Sequence, residues 1–113
     1  MSIKTGAELL AFHEVVTKRC RAVMERKNHD YTAGAGARRP FANFELSALV
    51  GLCSAEEGLL LRVLDKVQRL LTYLKCGTLK VTNESMADAC EDIINYMVIL
   101  EAMTQEREED APH

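Results

Sequence analysis

The sequence predicts an all-α fold, an antiparallel four-helix bundle. Three observations carry this expectation. Apolar residues recur every three or four positions over long stretches, which is the period of one helix face. Only two prolines occur, at positions 40 and 112, so most of the chain is free to be helical. Two Ser/Thr-x-x-Glu pairs stand just ahead of apolar runs, where a helix N-terminus needs side-chain acceptors for its free N–H groups.

Thr5 and Glu8 make the first of these pairs, and Leu9, Phe12, Val16, Cys20 and Val23 follow at helical spacing. Glu14, Lys18, Arg21 and Glu25 form the opposite, charged stripe, so the first helix is placed over 6–28. A loop from His29 to Ala42 comes next, with Ala33-Gly34-Ala35-Gly36-Ala37 at its centre and Arg38, Arg39 and Pro40 behind it. Its length in a compact domain points to a functional segment. It is expected to close as a lid, with Arg38 or Arg39 reaching a phosphate. It is not a phosphate loop of the familiar kinds, because it lacks a preceding strand, a third glycine and a Gly-Lys-Ser/Thr ending.

A short second helix is placed over Asn43–Val50. Ser54 and Glu57 form the second capping pair and open a third helix. Its apolar stripe (Leu60, Val63, Leu64, Val67, Leu70, Leu71, Leu74) is the strongest periodic signal in the chain and is expected to be buried. Gly77 stands where a terminating left-handed glycine belongs. Residues Thr78 to Thr82 read as an extended connector. Asn83 is the expected N-cap of a fourth helix, whose buried stripe is Met86, Cys90, Ile93, Met97 and Leu100. One helical domain over 1–105 is expected, with 106–113 a charged, frayed tail.

At 113 residues the chain is one domain, and such a domain buries a modest share of its surface, so self-association is expected. The net charge of −3 argues against direct binding of a nucleic-acid polymer but leaves small anionic ligands open. The cysteines at 20, 53, 76 and 90 form neither a Cys-x-x-Cys pair nor zinc spacing with histidine, and read as thiols of a reducing compartment. No uncharged apolar run reaches 18 residues and Met1 to Gly6 holds no apolar signal core. The expected location is therefore the cytoplasm, with no membrane partner.

The chemistry lies in two stripes. On the fourth helix Glu84, Asp88, Glu91 and Asn95 fall in one narrow sector, with Asp92 at its edge. Like charges at this spacing repel by a few tenths of a kcal/mol per pair, roughly, so something cationic must offset them. On the third helix Arg62, Asp65, Lys66 and Arg69 form one stripe. The plain reading is a ladder of surface ion pairs, each worth about 0–1 kcal/mol. The sharper one is that carboxylates hold Mg²⁺ or Mn²⁺ while the cations hold phosphates. His13, His29 and His113 suggest no nucleophile–base pair.

The order of these residues resembles a known family. Lys27-Asn28-x-Asp30-Tyr31, Pro40-Phe41-x-Asn43-Phe44, Arg62-x-x-Asp65-Lys66-x-x-Arg69 and Asn83-Glu84-Ser85-x-x-Asp88-x-x-x-Asp92-x-x-x-Tyr96 are similar to motifs of the short phage and bacterial MazG-like proteins. Those proteins belong to the nucleotide-modification-associated group. The resemblance runs from residue 25 to 105. It implies an all-α nucleoside triphosphate pyrophosphohydrolase fold, and cleavage of a triphosphate to monophosphate and pyrophosphate with Mg²⁺ or Mn²⁺. It also implies a homodimer or homotetramer with active sites shared between subunits, and a role in adjusting phage deoxynucleotide pools in the host cytoplasm.

Carried onto this chain, the resemblance makes Asp65, Glu84 and Asp88 catalytic and gives the metal Asp65, Glu84, Asp88, Asp92 and Glu57. Arg62, Lys66, Arg69 and Lys27 are assigned to phosphates. Asn28, Asp30, Tyr31 and Asn43 are assigned to the nucleoside, a deoxynucleotide in preference to a ribonucleotide, with Tyr31 or Phe44 offered for stacking. The family pattern, Glu-x-x-Glu and then Glu-x-x-Asp, is altered here. Arg62 stands first in the first pair, and the next helix spaces Glu84, Asp88 and Asp92 by four. Glu56 or Glu57 is the candidate for the missing ligand. Two alternatives stay open: a non-catalytic protein that sequesters a nucleotide, and a purely structural helical assembly protein.

Overall fold

A computed structural model shows four helices: α1 Gly6–Thr32, α2 Ala42–Leu49, α3 Ala55–Cys76 and α4 Met86–Asp110. It describes residues 2–32, 41–77 and 85–110, leaving aside the side chains of 28–32. Among the described residues there is no strand, so the chain is all-α.

The helix ends follow from local chemistry. At the start of α3 the Ser54 hydroxyl accepts a hydrogen bond from the Glu57 N–H at 3.1 Å, and the Ser54 N–H donates to the Glu57 carboxylate at 3.0 Å. Two donors that the helix leaves unpaired are thereby satisfied. At its other end Gly77 takes φ 73° and its N–H donates to the Tyr73 carbonyl at 2.7 Å, a backbone geometry that glycine adopts without a Cβ penalty. Thr5 caps α1, its hydroxyl accepting from the Glu8 N–H at 3.1 Å. The same device opens α4, where Ser85 and Asp88 exchange two bonds of 3.0 and 3.1 Å. Here Asp replaces the Glu or Gln of the usual pattern, which is why the sequence does not advertise it. The expected cap Asn83, the connector from Thr78 and the glycine-rich loop all lie outside the described residues.

These caps carry a pH signature. The bond from the Ser85 N–H, followed by that from its hydroxyl, holds the Asp88 carboxyl below its ordinary range. Ser54 does the same for Glu57. A group whose folded pKa is depressed stabilises the fold above its unfolded pKa and loses that contribution as pH falls through the folded value. The wild type is therefore expected to resist urea better than a Glu57→Gln/Asp88→Asn variant at neutral pH, and to match it below the carboxylate range. A stability gap that persists unchanged into acid would mean that the two charges contribute nothing through their caps.

α3 and α4 run antiparallel, joined by an ion pair of Lys66 with Asp92 toward one end and of Glu56 with Arg107 toward the other. The core between them is Phe44, Leu59 and Met103, flanked by Phe41, Val63, Tyr96, Ile99 and Leu100. α2 folds back onto α3 and inserts Phe44, whose ring meets Tyr96 edge-on at 6.2 Å. α1 packs on α4. Helix α4 continues past Glu106 to Asp110, beyond the point where a frayed tail is expected. The Glu56–Arg107 pair and a 3.4 Å bond from Gln105 to Glu109 lie on that last stretch.

The apolar stripe of α3 corrects the sequence reading. Leu59 is fully buried, and with Val63, Lys66, Leu70 and Tyr73 it forms the seam turned toward the protein. The seam one residue along (Leu60, Leu64, Val67, Leu71, Leu74) stays 36–73% exposed. Adjacent positions sit about 100° apart on a helix, so two neighbouring seams share one period, and periodicity alone does not choose between them. On α1, likewise, only Cys20 is buried and Val16 and Val23 half-buried, while Leu9 and Phe12 remain exposed. On α4 the buried residues are Ala89, Asn95 and Met103, while Met86 and Met97 are exposed.

Candidate functional site

The polar sector of α4 does not face open water. It meets α1 on one side and α3 on the other. Asp92 sits at that junction, one carboxylate oxygen 2.9 Å from the Lys66 ammonium of α3 and the other 3.6 Å from the Lys27 ammonium of α1. The Lys66 and Asp92 side chains are only 16% and 20% exposed. A carboxylate withdrawn from water this far needs the cations it has. One residue earlier, Glu91 pairs with Arg19 of α1 at 3.2 Å. One turn before Asp92, Asp88 lies exposed at the mouth of the same junction, under the positive potential of Lys66 and Arg19.

Beneath these pairs the buried Asn95 amide donates to the Cys20 carbonyl at 3.0 Å, tying α4 to α1 through a backbone group that its own helix leaves able to accept a second bond. Burial, followed by the Glu91 charge, pushes the Cys20 thiol above its ordinary pKa. Arg19 and Asn95 are thus parts of the site that the family-like motifs do not contain. The signal in the sequence is that Arg19, Val23 and Lys27 recur every fourth residue beside the buried Cys20.

The residues expected to act divide into groups. Lys27, Lys66 and Asp92 are together, with Asp88 one turn away. Asp65 is apart from them: its carboxylate is exposed on α3 and pairs with Arg69 at 3.4 Å, four residues along the same helix. Glu57 is occupied in the cap of α3, and Glu56 is paired with Arg107. The Arg62 guanidinium lies 4.7 Å from the centre of the Phe44 ring, a cation–π contact. Phe44 is mostly core, packed on Tyr96 and Arg62, with one edge lining the groove between α2 and α3. Asn43 and Arg62 both line a groove of about 540 Å³ between α2 and α3. Arg62 and Lys66 are one helical turn apart, about 6 Å along the axis. Glu84, the side chains of Asn28, Asp30 and Tyr31, and Arg38 and Arg39 lie outside the described residues.

Among the described residues no three His, Cys, Asp or Glu side chains converge as a ready-made metal cage. Among the described residues Asp88, Glu91 and Asp92 are the carboxylates on this side of α4, Glu91 being paired with Arg19. Mg²⁺ takes one or two carboxylates and completes its shell with water and substrate phosphates. Glu57 stands in the cap of α3 as Asp88 stands in that of α4, and Asp65 pairs with Arg69 on α3 as Asp92 pairs with Lys27 and Lys66. Comparison with family models, with curated proteins and with solved structures returns no match.

Proposed function

We propose that the chain is a metal-dependent nucleoside triphosphate pyrophosphohydrolase with a MazG-like bundle, working as a homodimer or homotetramer. It would convert a (d)NTP, preferably a deoxynucleotide, to the monophosphate and pyrophosphate. The observation that carries this reading is the half-buried Lys27–Asp92–Lys66 junction. It holds two ammonium groups around one carboxylate where three helices meet, with a second carboxylate, Asp88, at its mouth.

The chemistry asked of such a site is modest. A water oxygen bonds to the α-phosphorus, the bond from that phosphorus to the bridging oxygen breaks, and pyrophosphate leaves with the bond pair. Asp88 and Asp92 would hold Mg²⁺ or Mn²⁺, which when bound neutralises phosphate charge and lowers the pKa of a coordinated water. Lys27 and Lys66 would receive the triphosphate. Arg62, one turn further along α3, would guide its sugar-proximal end toward the groove lined by Asn43.

The test is a panel of the common ribo- and deoxynucleoside triphosphates with Mg²⁺ or Mn²⁺, scored for monophosphate and pyrophosphate. Release of pyrophosphate from at least one of them is expected. Release of orthophosphate, or no product from any, would overturn the reading. A second reading, a protein that binds and sequesters a nucleotide, is favoured by the pairing of Asp92 with two lysines. It expects saturable triphosphate binding with no product.

A further inference from the structure

The outward seam of α3 is the largest ordered feature left unexplained. Leu60, Leu64, Val67, Leu71 and Leu74 are spaced by four, three, four and three residues, the 3.5-residue period of a helix made to pack lengthwise on another helix. All five are exposed, Leu74 at 73%. The seam is about 21 Å long at 1.5 Å per residue. Along its length it is bordered by Leu61, Val63, Gln68 and Leu70, with Glu57 and Lys75 beside its two ends, while Arg62, Asp65, Lys66 and Arg69 lie away from it. The protein's own core is satisfied by the neighbouring seam through Leu59.

We infer that this seam is the contact for a second copy of the same chain, α3 packing on α3 about a two-fold axis. A two-fold interface joins one patch to itself, so it must be self-complementary. A lengthwise apolar seam meets that condition, whereas the charged faces of α3 and α4 do not. The exposed parts of five such side chains, doubled by symmetry, offer on the order of 1,000 Å² of apolar surface, the scale at which specific interfaces begin. The shape agrees: the radius of gyration is 16.6 Å, against about 13 Å for a compact domain of this size. The other exposed apolar residues are less suited to lead. Leu46 and Leu49 lie on the eight-residue α2, with Val50 and Leu52 just past its end, and Leu9 and Leu10 sit at the first turns of α1.

This deepens the assembly named above by assigning its surface, and it stands independently of hydrolysis. The experiment reads mass rather than turnover. Wild-type protein at micromolar concentration should scatter light as two or more chains of 12.6 kDa. A Leu64→Glu/Leu71→Glu variant should fall to half that mass or less with its helical circular dichroism kept, since both side chains are exposed in the single chain. A Leu64→Lys/Leu71→Lys variant should do the same. Mixing the acidic and basic variants should restore the pair, because in α3-on-α3 packing each acidic seam meets a basic one. Should either variant lose its helix signal, Leu64→Gln/Leu71→Gln replaces it, with the same fall in mass expected. A monomeric wild type, an unchanged mass in the variants, or folded variants that fail to recombine would each overturn the inference. The last would show that α3 meets a different face.

Discussion

Asp92→Asn is expected to lower pyrophosphate release by about a hundredfold or more while leaving triphosphate binding intact or tighter. Asparagine keeps the shape but not the charge, so the junction loses a carboxylate proposed to hold the metal. The same change releases Lys27 and Lys66 from that carboxylate, and both ammonium groups then turn their attraction to the phosphates. Binding and turnover therefore move in different directions, a pattern that simple unfolding does not produce. Some stability should also be lost, about 1–3 kcal/mol, because a charged hydrogen bond to a half-buried lysine is weakened. Isothermal titration with a non-hydrolysable triphosphate, beside a pyrophosphate-release assay, separates the two. Equal activity in wild type and variant would reduce Asp92 to a structural ion pair and remove the main support for catalysis at this junction.

Leu59→Ala should cost about 2–5 kcal/mol of folding free energy, the range for emptying a buried leucine site. Leu59 has no exposed surface and is clamped by Phe44 and Met103 from two other helices. Few large side chains are buried in this domain, and collapse of the cavity would have to move α2 or α4. Small domains have only about 5–15 kcal/mol in total, so a fall in Tm on the order of 10–20 °C is expected by thermal circular dichroism. A loss below 1 kcal/mol would mean that the three-residue core is not where the fold is held.

The parts of the fold written in short-range chemistry can be read directly. Ser54 with Glu57 and Gly77 announce both ends of α3, because caps depend on residues three or four apart. The pairing of a basic α3 with an acidic α4 was also accessible, since antiparallel packing brings Lys66 to Asp92. Two things were not. Choosing between adjacent apolar seams on α3 needs the positions of α2 and α4, and the inward seam is the one containing a lysine. The polar sector of α4 looks like a solvent face until Arg19 and Lys27 are placed against it. Burial of Asn95 is a property of that pairing and not of the residue.

The α1–α4 contact has one more consequence. It carries two ion pairs and one amide bond, where the α3–α4 contact carries the buried apolar core. Salt acts on such pairs through their open partners, Arg19 and Lys27, each about half exposed, and leaves apolar contacts untouched. α1 is therefore expected to open locally before the rest of the domain unfolds. Since Lys27 travels with it, such an opening would remove one of the two lysines proposed to receive phosphate without denaturing the protein, and salt would then act on affinity before it acted on structure.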